Sequence, residues 1–336
     1  MTYLRPVPMT DPARPAAALP LAGGPCWFDR VEVLERDRPP QIVPARDLPT
    51  PAMDRLCQPR PPFGTLSLQT PRIMGILNIT PDSFSDGGLF LRPEAAVMQA
   101  RLMAAGADII DIGGESTRPG AVEVTVDEET RRTAPVIAAL RAGGLDLPIS
   151  IDTRKGAVAG AALQAGASWV NDVTALRFDP AMADLVAATG APVILMHSIA
   201  DPATMQADPR YDDVLLDVYD ALAARVAEAE AAGIRRDNIA IDPGIGFGKT
   251  LTHNLALLQR LSLFHSLGLP ILLGASRKRF IGTIGAAAEA ARRMPGSLAV
   301  ALRGVAQGVQ MIRVHDVAET RQALSLWQAS STGEAG

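Results

Sequence analysis

Along residues 71 to 316, eight short apolar runs recur, and nearly every one stops at Asn, Asp, Glu, Arg, His or Ser. The runs cover 73–79, 107–113, 148–151, 168–170, 192–196, 239–241, 270–273 and 309–314. Each is β-branched or Leu-rich and too short for a helix, so each predicts a strand. Between them lie longer Ala-, Leu- and Arg-rich stretches with helical spacing, for example 93–105, 127–142, 212–232 and 255–267. Continuously apolar strands belong to a parallel sheet buried on both faces. Eight strand–helix units predict an α/β TIM (β/α)8 barrel, in which the strand C-termini share one mouth. The polar run ends then converge there: Asn78, Glu115, Asp152, Asn171, His197, Asp242, Ser276, and Arg313 with His315. A doubly wound open sheet is the alternative, but it needs neither eight strands nor eight polar ends.

Residues 1–70 break this pattern. They hold 14 of the 27 prolines, which a helix interior or a central strand does not tolerate. The expected division is a Pro-rich N-terminal extension over 1–70, a barrel over 71–328 and a flexible C-terminal tail over 329–336. Within the extension, 26–37 alternates like a strand and is expected to pair with 41–45. No motif there carries chemistry, and the segment is read as packing on the barrel or staying partly ordered.

Composition narrows the function. A hydrophobic share of 48% is ample for a large core, and a net charge of −4 gives no footprint for nucleic acid. No apolar run approaches the roughly 18 residues of a membrane span, and no signal peptide is evident, so the expected location is the cytoplasm. Cys26 and Cys57 both precede the barrel and suggest neither a disulfide framework nor a thiolate metal site.

The strings at the run ends supply candidate chemistry. In "GILNITPDSFSDGG", Asn78 offers an amide oxygen to a hard cation such as Mg2+, which needs only one or two protein ligands when a diphosphate also holds it; an Asn-initiated turn is the bland alternative. In "GGESTRPGA", Arg118 has the forked donor geometry that grips an anion. "ISIDTRK" and "WVNDV" put Asp152 and Asn171 on neighbouring strand ends, where helix capping by Asp152 or Asp172 is the competing role. Asp242 in "IAIDPGIGFGKT" precedes three glycines that let backbone approach a flat ligand. The same string falls one position short of a phosphate-binding loop, because residue 243 is Pro where Gly is required. "GASRKRFIG" follows Ser276 with three cations, and "RVHDV" sets Arg313 and His315 on one face as an anion-binding pair.

In this order, "NITPDSFSDGG", "GGESTRPGA", "IDTRK", "NDV", "DPGIGFGKT", "GASRKRFIG" and "RVHDV" resemble the dihydropteroate synthase family over about residues 71 to 325. The resemblance implies a pterin-binding barrel, usually a homodimer, that joins 4-aminobenzoate to a dihydropterin methyl diphosphate in folate synthesis. Motif by motif, it implies that Asn78 holds Mg2+ and diphosphate, and that Arg313 and His315 form the anion pocket. Asp152, Asn171, Met196, Asp242, Phe247 and Lys278 resemble the pterin-binding set. Phe84, Thr117, Arg118 and Pro119 resemble the loops that close over diphosphate and 4-aminobenzoate, and Phe247, Ser276 and Arg277 resemble that second substrate's wall. Asp152, Lys278 and Arg118 are the implied catalytic residues. One departure follows the fifth run, where Ser198, Ile199 and Ala200 replace the small and basic residues usual in the family. A pterin-barrel methyltransferase and a catalytically silent pterin-binding paralogue are the rival readings; the first should lack "ESTRPG" and "SRK".

Overall fold

The computed structural model describes residues 1–80, 93–116, 121–199 and 208–333. Its chain begins with β1 (Thr2–Pro6), β2 (Leu19–Pro20), β3 (Trp27–Phe28), β4 (Arg30–Glu35), β5 (Gln41–Pro44) and α1 (Thr50–Cys57). β1, β4 and β5 form an antiparallel sheet in the order β1–β4–β5, with Val31 opposite Val43; the strand expected over 26–37 is two, since β3 pairs with β2 and only β4 pairs with β5. The Pro-rich extension is thus folded. Its apolar faces bury Leu21, Cys26, Phe28, Val31 and Leu56 in a cluster of their own.

The barrel follows as β6 (Arg72–Asn78), α2 (Pro93–Ala104), β7 (Ile109–Gly113), α3 (Val126–Ala142), β8 (Ile149–Asp152), α4 (Gly156–Gln164), β9 (Trp169–Asp172), α5 (Ala181–Thr189), β10 (Val193–Met196), α6 (Val214–Ala231), β11 (Ile239–Asp242), α7 (Leu251–Gln259), β12 (Leu272–Leu273), α8 (Arg279–Ile284), α9 (Met294–Val305), β13 (Met311–Val314) and α10 (Val317–Thr332). Eight parallel strands pair in the order β11–β10–β9–β8–β7–β6–β13–β12, and a parallel bridge between Ile241 and Ile271 closes the ring. A parallel ladder with helices outside is the TIM architecture.

Alternation along the strands sorts their side chains into two compartments. Ile110, Ile112, Ile149, Ile151, Val170, Val193 and Leu195 pack outward with the helices in the main core. Met74, Ile109, Trp169, Ile194, Ala240, Leu272 and Met311 point inward near the strand N-termini, where Phe63 and Leu68 complete the cluster. Phe63 meets Trp169 edge-on, with ring centroids 4.7 Å apart. The first barrel strand therefore begins at Arg72, but barrel packing begins earlier, at Phe63.

Three expected boundaries are corrected. The ladder carries β8, β9 and β11 past the last apolar residue, so Asp152, Asn171 and Asp242 are strand residues, with Gly113 opposite Asp152 and Asp152 opposite Asn171. The helix expected over 255–267 is two pieces: Thr250 starts α7 through a reciprocal cap with His253, and Arg260 breaks it before a 3-10 turn over Leu261–Leu267. The tail expected from 329 is helical to Thr332, where Gly333 adopts φ 76° and its N–H caps Ala329 O at 2.8 Å.

Polar contacts bind the extension to the barrel wall. Tyr3 Oη donates to Asp220 at 2.8 Å, Arg36 bridges Asp217 and Asp220, and Glu32 accepts from both Arg5 and Arg260. Arg60, 6% exposed, donates to Arg55 O at 2.9 Å and His265 O at 3.0 Å.

Candidate active site

Above the apolar layer, the inward positions turn polar: Asn78, Asp111, Asp152, Asn171, Asp242 and Arg313 ring the interior at the strand C-termini. Arg313 stands at the centre. Its Nε donates to Asp111 Oδ2 and its second nitrogen to Asp152 Oδ2, both at 2.6 Å. Against the cost of burial, those two carboxylates hold the guanidinium charged. One cation between two buried carboxylates leaves an excess negative charge. Burial, together with Asp111, Glu129 and Asp172, accordingly pushes Asp152 upward, with Arg313 opposing. Asp111 Oδ1 and Asp152 Oδ1 have no hydrogen-bond partner among the described residues. Buried acceptors without donors are costly, and a ligand carrying N–H groups would relieve them.

Two further side chains of the pterin set, Asn171 and Asp242, have one committed side each. Asn171 Nδ2 donates to Asp111 Oδ2 at 3.2 Å, which turns its carbonyl oxygen away from Asp111 as an acceptor. Asp242 Oδ1 accepts the Gly244 N–H at 2.7 Å, while Oδ2 lies 3.3 Å from where a Cβ on Gly274 would sit. Burial raises Asp242 to about 6, against the Gly244 bond and the charges of Lys278, Lys249 and Arg313. Met196 is buried opposite Asp242 on the neighbouring strand, and Lys278 Nζ lies 3.9 Å above the Phe247 ring.

Other expected members of the ring point elsewhere. Glu115 accepts from Arg154 and Lys155 in a buried cluster that includes Glu129, so it braces the start of α4 and does not face the mouth. Asp172 accepts from the N–H groups of Thr174 and Leu176 and the Thr174 hydroxyl, so it pins the turn after β9; neither it nor Asp152 caps a helix, since α4 and α5 start at Lys155 and Pro180 without a side-chain cap. His197 binds Lys249 through Nδ1 at 2.9 Å. His315 shares a hydrogen bond with Ser276 Oγ at 3.0 Å; burial, with Arg313 and Arg277 nearby, lowers it to about 3. Beside these cations the ring is therefore neutral. Arg277 holds φ 56° and pairs with Asp316. Phe84, Thr117, Arg118 and Pro119 lie outside the described residues.

Residues 74–315 match the profile of the family described as pterin binding enzyme. The dihydropteroate synthase of Escherichia coli K12 is 47% identical over 267 residues, covering 79% of this chain and 94% of its own, and that of Neisseria meningitidis serogroup B is 46% identical with the same coverage. The chain belongs to the dihydropteroate synthase family. Among solved family structures, the Xanthomonas albilineans dihydropteroate synthase with 4-aminobenzoic acid is 48% identical at a TM-score of 0.75, covering 79% of this chain and 94% of its own. The same organism's enzyme in complex with 7,8-dihydropteroate is 46% identical at a TM-score of 0.72. The matched share leaves about a fifth of this chain beyond these relatives.

Two site residues escaped the sequence reading. Asp111 is the lone charge inside β7, two residues from Ile109 and Gly113 on the inward face, and that interruption is the signal it gives. Lys249 sat in the rejected phosphate-loop string; it is 3% exposed and donates to Phe247 O at 3.0 Å.

For magnesium, the fit rests on a small cradle. A Cβ on Gly113 would lie 3.5 Å from Asn78 Oδ1 and 3.7 Å from Asp152 Oδ2, so the missing side chain leaves room beside two oxygen donors. No group of three His, Cys, Asp or Glu is arranged for a metal among the described residues.

Proposed function

We infer that this chain condenses 4-aminobenzoate with 6-hydroxymethyl-7,8-dihydropterin diphosphate, releasing 7,8-dihydropteroate and diphosphate. The observation that carries the reading is the half-committed polar ring, in a family member 47% identical to a dihydropteroate synthase. Asp242 Oδ2, Asn171 Oδ1 and Asp152 Oδ1 each offer an acceptor to the donor-rich edge of a pterin. Met196 and the Phe247–Lys278 pair supply apolar and cationic walls for its flat rings.

The reaction needs no enzyme nucleophile. The methylene carbon of the pterin loses its C–O bond to diphosphate and gains a C–N bond to the amine, which then gives up a proton. Where C–O cleavage leads, positive charge spreads from the methylene into the dihydropterin, and the Asp152 carboxylate, fixed by Arg313, favours that charge. Asn78 is assigned to the diphosphate and its magnesium, with Thr117 and Arg118 from the second loop; Phe84, Pro119, Ser276 and Arg277 are assigned to 4-aminobenzoate. When bound, magnesium neutralises charge on the departing diphosphate.

The assembly we propose is a homodimer. α7, α8 and α9 leave a groove of about 950 Å³ lined by Leu255, Phe280, Ile281, Ile284 and Val300, with Ile284 59% exposed. An apolar patch of that kind is suited to a second copy, and Ile284→Glu should shift the species seen by light scattering to monomer. No helix among the described residues is long and apolar enough to cross a membrane. The unpaired Cys26 and Cys57 fit a reducing compartment, and we place the protein in the cytoplasm.

Diphosphate release measured with both substrates and magnesium tests the reading. Release that requires 4-aminobenzoate supports it. Pterin binding without release would favour the silent paralogue, and methyl transfer from a folate would favour the methyltransferase.

A further inference from the structure

The turn after β11 is held from beneath by a buried cation. Lys249 Nζ reaches His197 Nδ1 at 2.9 Å, Phe247 O at 3.0 Å and His197 O at 3.5 Å. The backbone fits around these contacts with no slack: Gly244 has φ 67°, and a Cβ there would come within 1.9 Å of His197 O. Tyr211 Oη donates to Gly248 O at 2.8 Å, and Gly246 N–H donates to Asn254 Oδ1 at 2.7 Å. Two pieces of the pterin site depend on this turn. Gly244 N–H fixes Asp242 Oδ1, and Phe247 carries the ring beneath Lys278.

We propose that Lys249 is a positioning residue for pterin binding, whose ammonium, seated on His197, sets the 243–249 turn and keeps the Asp242 carboxylate ionised. This rests on the function inferred above and deepens it. His197 can serve only as a neutral acceptor at Nδ1, and its burial, with Lys249 and Arg177 close by, lowers its proton affinity well below the usual range. Among the described residues, the other leading charges acting on Asp242 are Lys278 from the start of α8 and Arg313 from β13, both cationic, with Arg313 already shared by Asp111 and Asp152. Burial lowers Lys249 itself to about 7, and the Asp242 charge opposes that fall, so the ionised carboxylate and the ammonium favour each other. Removing that charge raises the carboxyl further. Pterin affinity should then begin to fall at a higher pH as the solution is acidified.

The test is calorimetric binding of 6-hydroxymethyl-7,8-dihydropterin, which lacks the titrating diphosphate, between pH 5 and 8. Lys249→Met should move the acid-side midpoint upward by roughly one unit, the low end of the shift caused by losing an adjacent opposite charge. In turnover assays KM for the pterin substrate should rise more than kcat falls. His197→Asn keeps an acceptor near Nδ1 and should retain the wild-type midpoint, whereas His197→Leu should shift it in the same direction as Lys249→Met. An unshifted midpoint in Lys249→Met overturns the proposal. If that variant does not fold, equal midpoints in the two His197 variants overturn it instead. Wild-type protein that binds no dihydropterin at any pH would overturn the reading of the site and this role with it.

Discussion

The two ends of the barrel are built from the same strands and obey opposite rules. At the N-terminal end, Met74, Ile109, Trp169, Ile194, Leu272 and Met311 close on Phe63 and Leu68 in an apolar cluster, with the Ser150 hydroxyl beside Trp169 as the polar exception on β8. At the C-terminal end, two to four residues further along, stand Asn78, Asp111, Asp152, Asn171, Asp242 and Arg313. The lower end is filled and supplies stability. The upper end stores cost in carboxylate oxygens that lack donors, and such cost is retained where a ligand removes it. Substitution at the upper end should therefore affect function, and substitution at the lower end only folding.

Arg313→Met should have the largest effect at the mouth. It leaves Asp111 and Asp152 buried without a counter-charge, a loss of roughly 3 to 5 kcal/mol in stability, together with loss of turnover. Urea unfolding and the diphosphate assay read both. Adding Asp152→Asn should recover much of the stability and none of the activity. Stability equal to wild type in the single variant would mean that the pair does not anchor the mouth.

At the other end, Phe63→Ala should cost about 3 kcal/mol through the cavity left under Trp169. Its KM for either substrate should stay unchanged at a temperature where the variant is folded. A raised pterin KM would show that the two ends are coupled and that the division drawn between them is too sharp.

Asp242→Asn returns to the mouth with a smaller effect. Because the Gly244 N–H occupies Oδ1, the new amide must present its own N–H where Oδ2 had accepted, so the ligand meets donor against donor. Calorimetry with the dihydropterin should show a loss of roughly 2 to 3 kcal/mol, with little change in unfolding. Unaltered affinity would remove Asp242 from the pterin site.

How much of this was legible in the sequence follows the same division. Asp152, Asn171 and Asp242 announce themselves because each stops an apolar run, and a polar residue at a parallel strand's C-terminus has few other uses. Asp111 hides inside a run, and its partner Arg313 lies 202 residues away. Lys249 hides for a similar reason: its burial depends on His197, 52 positions earlier, and no local pattern encodes that contact. Glu115 misleads in the opposite direction, since it ends a run yet turns to Arg154 and Lys155. Phe63 is lost in a Pro-rich stretch whose composition suggests little order, although the extension's sheet and its tie to the barrel rest on pairs such as Tyr3 with Asp220 that only the folded chain brings together.

The smallest effect is expected at the seam between extension and barrel. His265 is fully buried beneath Arg60; its Nε2 lies 2.9 Å from Gln307 O, and Arg60 donates to its carbonyl oxygen at 3.0 Å. Burial first, and the Arg60 charge second, lower His265 to about 3. The folded protein keeps this ring neutral while the unfolded chain protonates it below about 6.5, so the unfolded state binds the extra proton and gains as pH falls. Stability is therefore intact above about 6.5 and declines on the acid side, by about 2 kcal/mol at pH 5 from this group alone. His265→Gln, which preserves a donor toward Gln307 and cannot titrate, should flatten the pH dependence of urea unfolding between pH 7 and 5 while leaving pterin affinity at pH 7 unchanged. An equally steep acid decline in the variant would mean that the seam does not sense pH through His265, and that the decline arises from other titrating groups.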